Sequence, residues 1–290
     1  MADSRLNGAE HRVQLSFIKS TFFSALIPFG LVLAFQQWLA GRRPPLDLSA
    51  SLATVNYVPV TLGSTDRRLR LSGAWAVKID DPRFNGLSGL AIEQGKLLAL
   101  SDSGFLFRLD PPGGAGHASI QALPAVAGDP RVKAGRDSEA IAPDTRGRGW
   151  WVAFEGRHAL LLYDRGFTRL LRRVPLAGYS FSKNRGVEAL VARGDGLTAI
   201  PEAAGVSDAA VMPDGRIALL HRWFGPTGFG ATIVIGKRSW RLPVAPYDNA
   251  EGIAAAPLPD GGTRLWIVTD NDALPLRRTL LVAVDVAPTR

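Results

Sequence analysis

Asp137-Ser138-Glu139-Ala140-Ile141, Arg185-Gly186-Val187-Glu188-Ala189-Leu190 and Asn249-Ala250-Glu251-Gly252-Ile253 are three writings of one signature. In each, a polar loop delivers a glutamate, a small residue follows, and an apolar run begins at once. Ser88-Gly89-Leu90-Ala91-Ile92 and Ser207-Asp208-Ala209-Ala210-Val211 read as degenerate copies. The sequel repeats as well. Each copy leads through a turn such as Glu93-Gln94-Gly95, Arg193-Gly194-Asp195-Gly196 or Pro213-Asp214-Gly215 into a second apolar run. That run ends on a polar residue: Asp102, Glu155, Glu202, Arg222 or Asp270. A short strand, a glycine-bearing turn and a second strand make a hairpin.

From Ser88 through Glu139, Glu188 and Asp208 to Glu251 the copies stand about 50, 49, 20 and 43 residues apart. Apart from the short third unit, this is the period of four-stranded propeller blades. The expected fold is all-β, a five- or six-bladed β-propeller, with a β-sandwich as the rival. Leu69 to Ile79 reads as a strand that completes the unit begun at Glu251 and continued by Leu280 to Val286, because a ring must join its ends or leave open edges. In a blade, the start of the first strand and the end of the second share one face beside the central channel. Both polar positions of every unit are therefore expected to gather there. Of Trp150 and Trp151, alternation points one into the core. Trp223 to Gly230 reads as an aromatic loop that could rim the channel.

The chain of 290 residues has no cysteine, which excludes disulfides, thiol chemistry and cysteine-ligated metals. Its formal charge of +8 comes mainly from scattered arginines, with no basic run, so nucleic-acid binding is not expected. Arg5, Arg12 and Lys19 precede an uncharged run from Ser20 to Gly41. Residues 1–43 read as a cleaved export signal or an uncleaved membrane anchor, with a buried helix as the plain alternative. Either of the first two puts the body outside the cytoplasm, in the periplasm or held at the bacterial inner membrane. Residues 44–68, with Pro44, Pro45 and Pro59, read as a tether, and 69–287 as the propeller.

The repeated glutamates admit two readings. They lock blade-to-blade crossings by accepting backbone N–H bonds, or they converge to bind a hard cation. Only four histidines exist, none with ligand spacing to another, so catalytic zinc is not expected. Asp270-Asn271-Asp272 is the densest oxygen cluster, and Asp102-Ser103-Gly104 resembles it. Ser103 lacks the G-x-S-x-G elbow and an identifiable histidine. Arg185 and Arg222 adjoin the acidic loops and would suit an anionic substrate.

Taken in order, these motifs resemble the phytase-like family, whose domain carries the description "esterase-like activity of phytase". The resemblance covers about residues 70 to 287. It implies an exported bacterial propeller that hydrolyses phosphate or other esters, though the third unit is shorter than in longer members. On this reading Asp102, Glu139, Glu188, Glu251 and Asp270 hold a divalent cation, with calcium the best fit. Glu139, Glu188 and Arg222 are the catalytic candidates, and Arg185 and Arg222 bind substrate. The expected partner is a small anionic or ester substrate, and the expected state is a monomer. The competing functions are a non-catalytic envelope-bound propeller and a lactonase-type propeller.

Overall fold

The computed structural model describes residues 12–15, 46–63, 69–124, 135–176, 186–226, 228–245, 247–271 and 277–288. The apolar run expected as signal or anchor, together with Arg185, Thr227 and Asp272, lies outside them.

Two strands precede the repeats, β1 (Arg12–Leu15) and β2 (Ser51–Pro59), and are followed by β3 (Leu69–Ile79). The first unit is β4 (Leu87–Glu93), β5 (Lys96–Ser101), β6 (Phe105–Leu109) and β7 (His117–Ala122). The second is β8 (Ser138–Pro143), β9 (Gly149–Phe154), β10 (Ala159–Asp164) and β11 (Leu170–Pro175). The third is the hairpin β12 (Val187–Arg193) and β13 (Gly196–Pro201). The fourth is β14 (Val206–Val211), β15 (Ile217–Gly225), β16 (Gly228–Ile235) and β17 (Arg238–Arg241). The fifth opens with β18 (Asn249–Pro257), β19 (Thr263–Asp270) and β20 (Leu280–Val286), and β3 completes it by pairing antiparallel with β20, as expected from the sequence.

Neighbouring units pack face to face through apolar clusters, each drawn from two successive units. The first strands close a ring: β4 contacts β8, β8 contacts β12, β12 contacts β14, β14 contacts β18, and β18 contacts β4. The described residues thus form an all-β, propeller-like ring.

The structure amends several local expectations. Ser51–Pro59 lies in the stretch expected to be a tether, yet β2 pairs with both β3 and β7, fusing the fifth and first units into one nine-stranded sheet. Trp150 and Trp151 are both buried, because β9 is covered on both faces by neighbouring units. Trp150 stacks on Phe167, and Trp151 Nε1 donates to Asp144 Oδ1 at 3.1 Å. The aromatic stretch after Arg222 is no loop, since β15 and β16 run out to Gly225 and Gly228 and leave Trp223 and Phe224 exposed near the hairpin tip.

Candidate active site at the acidic mouth of the ring

The signature glutamates owe their position to a shared defect in the ladder. In every unit the pairing between first and second strand slips by one residue. The residue left unpaired is Ser88, Glu139, Glu188, Ser207 or Glu251. A β-bulge bends its strand and re-aims the extra side chain, and such bulges cluster beside functional sites. The small residue that follows each glutamate restarts the ladder. This register corrects the reading of the fourth unit, where Ser207, not Asp208, occupies the place of the glutamates.

The serines serve the ring itself. Ser88 Oγ donates to the carbonyl of Ser138 at 2.7 Å, and Ser207 Oγ donates to that of Ala250 at 3.1 Å. Asp208 is almost fully buried, and its carboxylate accepts N–H bonds from Ile253 at 2.8 Å, Ala209 at 2.8 Å and Leu90 at 3.4 Å. It therefore ties β14 to β18 and β4. Burial pushes its carboxyl well above the usual range in spite of these three donors.

The second strands deliver their terminal residues beside the bulges. The N–H of Asp102 bonds the carbonyl of Gly86, that of Glu155 bonds Asp137, and that of Glu202 bonds Gly186, in each case two residues before the bulge. Asp270 likewise pairs with Asn249. Gly86 has φ +63°, and a Cβ there would lie 2.3 Å from the Asp102 carboxylate, so only glycine fits.

Together these positions line one cavity of about 190 Å³, with Asp102, Glu139, Glu155, Glu188, Glu202, Arg222, Glu251 and Asp270 on its wall. Every described member of the site inferred from sequence is present; Arg185 lies outside the described residues. Glu155 and Glu202 stand on the wall where the exit positions are expected, although the sequence reading gives neither a ligand nor a catalytic role. Asp137, Glu139 and Glu155 bring carboxylate oxygens within 4.8 Å of one another, a group that could hold a metal ion. Asp137 and Glu155 were missed as ligands. Their signal was the hairpin itself, since the residue that exits the second strand faces the residue two before the glutamate.

Seven carboxylates and one guanidinium on so small a wall carry an unbalanced negative charge. Burial, then Glu188, Asp137, Asp102 and Glu155, push the Glu139 carboxyl well above its ordinary value. Burial raises Glu188 to about 7, with Arg222 opposing and Glu202, Glu155 and Asp137 adding to the rise. Burial likewise raises Glu251 to about 8 against the pull of Arg222. Arg222 forms an ion pair with Glu251 Oε1 and donates to Asn249 Oδ1 at 3.1 Å, while Asn249 Nδ2 donates to Glu251 Oε1 at 2.7 Å. Burial works to discharge Arg222, but Glu251, Glu188, Glu202 and Glu139 outweigh it and hold the guanidinium charged. Such mutually shifted groups in a cleft mark a site built for charge. The donor set is all oxygen with no histidine, which fits a hard divalent cation and not zinc.

A ring of this kind, with acids from most of its units turned onto one mouth, belongs to the all-β propeller-like class. Within it, residues 82–205 match the family model of the phytase-like domain, described as "esterase-like activity of phytase". The match begins just before the first unit and ends after the third, so it includes Asp102, Glu139, Glu155, Glu188 and Glu202. No curated protein matches the chain. Among solved structures, a protein of unknown function from Dyadobacter fermentans is similar at 11% identity and TM-score 0.41, over 83% of this chain and 96% of that one. The β-propeller domain of Cps50 (Swd1) from Myceliophteria thermophila is similar at 12% identity and TM-score 0.33, over 79% and 99%. Hydrazine synthase of Kuenenia stuttgartiensis is similar at 10% identity and TM-score 0.32, over 69% of this chain and 63% of that one.

Proposed function

We propose that the protein is an exported ester hydrolase acting on a small anionic substrate, with a phosphoester favoured, and that a divalent cation such as calcium assists it at the acidic mouth. The observation that carries this reading is the convergence of seven carboxylates on one cavity around a single arginine. On this reading the five units are the blades of a five-bladed propeller whose third blade is cut to a hairpin.

Asp137, Glu139 and Glu155 are the tightest oxygen group and would hold the cation, with Asp102, Glu188, Glu251 and Asp270 completing its surroundings. The cation, when bound, supplies the positive charge that an anionic ester needs in order to enter so acidic a cavity, and it polarises a water. Glu188, which burial raises to about 7 in the cation-free protein, would be pulled toward its charged form by a cation beside it and could then take a proton from an attacking water. Arg222, kept charged by four glutamates, would oppose the charge that builds on the substrate.

The test is thermal unfolding of the purified protein with a chelator and again after calcium is added back, followed by a phosphoester and lactone screen. A rise of several degrees with calcium, and hydrolysis lost in Glu188→Ala, are the expected results. No shift with calcium together with hydrolysis intact in both Glu188→Ala and Glu251→Ala would sink the reading and leave the acids architectural.

A further inference from the structure

Among the described residues the exposed aromatic side chains are Trp223, Phe224 and Tyr247, and all three lie on segments that reach the acidic mouth. Phe224 follows Arg222 by two residues on β15, and Tyr247 precedes Asn249, the first residue of β18, by two. Arg222 and Asn249 are themselves joined at 3.1 Å. Phe224 and Tyr247 therefore flank one polar contact of the mouth, at the seam between the fourth and fifth units.

The register fixes which way Phe224 points. β15 and β16 pair without a slip from Ala218 to Gly225, so Ala218, Leu220, Arg222 and Phe224 share one face. The first two are buried in the cluster that joins the fourth unit to the fifth, and Arg222 pairs with Glu251 of the fifth. Phe224 is the next step outward, roughly 7 Å beyond Arg222 along the strand. It is 67% exposed, and its ring centre lies 5.0 Å from that of Phe229, its cross-strand partner. Trp223 takes the opposite face, under the guanidinium of Arg241. Two arginines that precede β20 brace the seam. The guanidinium of Arg277 lies 5.0 Å from the Phe229 ring centre, and that of Arg278 lies 5.6 Å from that of Tyr247. Arg278 is in turn held by the buried Asp248 at 3.2 Å.

On the reading proposed above, Asp137, Glu139 and Glu155 hold the cation from the second unit, while Arg222 lines the same cavity from the fourth. A phosphoryl group set between them sends its alcohol part outward past Arg222, away from a wall of carboxylates and toward this seam. Aromatic side chains attract another ring through offset or edge-to-face contact. An uncharged ring also escapes the repulsion that a second anion would meet from the wall.

We propose that Phe224 and Tyr247 form the subsite for the alcohol part of the substrate, and that this part carries an aromatic ring close to the ester oxygen, as in an arylmethyl phosphate. The inference rests on the hydrolase reading and narrows it. In the reaction, the oxygen of water and one of its protons stay on phosphorus, the bond from phosphorus to the alcohol oxygen breaks, and the alcohol leaves with the other proton. The ring is held alike before and during that step, so its loss raises KM and leaves kcat unchanged.

Benzyl and ethyl phosphate differ in the ring and little in the acidity of their alcohols. With calcium present and the full-length protein, KM should be about tenfold lower for benzyl phosphate. Phe224→Ala and Tyr247→Ala, both at exposed positions, should each raise it toward the ethyl value while kcat and the ethyl KM stay unchanged, and Phe224→Tyr should keep the preference. Benzylphosphonate and methylphosphonate, which have no ester bond to break, should show the same order in calorimetric binding. Equal affinity for the two phosphonates, or a preference that survives in both alanine variants, overturns the proposal, and hydrolysis of both phosphates would then leave the hydrolase reading standing. Hydrolysis of neither phosphate removes that reading alone, and the phosphonates still decide the seam. Sedimentation with anionic lipid vesicles that Phe224→Ala abolishes, without any preference for the ring, would assign the seam to a membrane surface and likewise overturn the proposal.

Discussion

Replacing Asp208 by alanine tests whether the fourth unit's acid is architectural. Its carboxylate accepts two well-made N–H bonds, from Ile253 and Ala209, and a longer one from Leu90. All three donors are buried, and alanine leaves them without that acceptor. A buried donor stripped of its partner costs about 1–3 kcal/mol. Part of this is returned, because the variant no longer buries a carboxyl that desolvation penalises. The net loss should be about 3 kcal/mol, a large share of the roughly 5–15 kcal/mol that holds a domain together. At roughly 2–4 °C per kcal/mol, the midpoint should fall by about 6–12 °C. Asp208→Asn keeps one acceptor but turns an amide donor toward N–H groups, so it should lie between the two. The assay is urea unfolding followed by tryptophan fluorescence, with calcium held constant. A loss below about 1 kcal/mol for Asp208→Ala would refute the idea that this side chain ties β14 to β4 and β18. The calcium response of the variant should survive, since Asp208 is absent from the cavity wall.

Three further outcomes are expected. In cation-free protein, Glu188 and Glu251 keep protons up to about 7 and 8 that the unfolded chain gives up near its ordinary value of 4.5. Stability should therefore decline as pH rises from about 4.5 to 8, and calcium should flatten that decline, as chelator and calcium melts across the range would record. Asp285 is the opposite case: burial works to raise it, but Arg264, Ser72 and Arg70 hold it below the ordinary value. Its contribution is present above about pH 4 and lost as pH falls through the depressed value, so Asp285→Asn should cost about 1–2 kcal/mol at pH 7 and progressively less as pH falls below about 4 in denaturant titrations. Gly252→Ala should cost about 1–3 kcal/mol by melting, because its Cβ would meet Val268 Cγ2 at 2.8 Å and the backbone carbon of Gly89 at 3.0 Å.

Hairpins, their order and the closing partnership of β3 with β20 could be read from the chain because they rest on local alternation and turn chemistry. The gathering of Asp102, Glu139, Glu188, Glu251 and Asp270 followed from the same logic. A ladder slip leaves no mark in composition, so Ser207-Asp208 could not be assigned by pattern. Only the register reveals that the serine sits at the bulge and the aspartate turns inward. Ser51–Pro59 escaped notice because its alternation is half-exposed and flanked by prolines, and its partners are remote. Trp150 and Trp151 misled for a related reason: alternation predicts an outward face, but a central strand clamped between two neighbouring units has none.

The pairing of β3 with β20 has a consequence for how the molecule is made. Arg70 and Asp285, joined by a 2.7 Å ion pair, are 215 residues apart. During synthesis, Leu69–Ile79 emerges early and its outer edge waits until Leu280–Val286 has been translated. For that interval β2 can shield one side of the strand, but the other is a bare apolar edge of the kind on which nascent chains aggregate. Ring closure thus waits for residues 280–286, and a ribosome that stalls before them leaves a molecule in which β2 and β7 can pair but the edge of β3 that faces β20 stays bare.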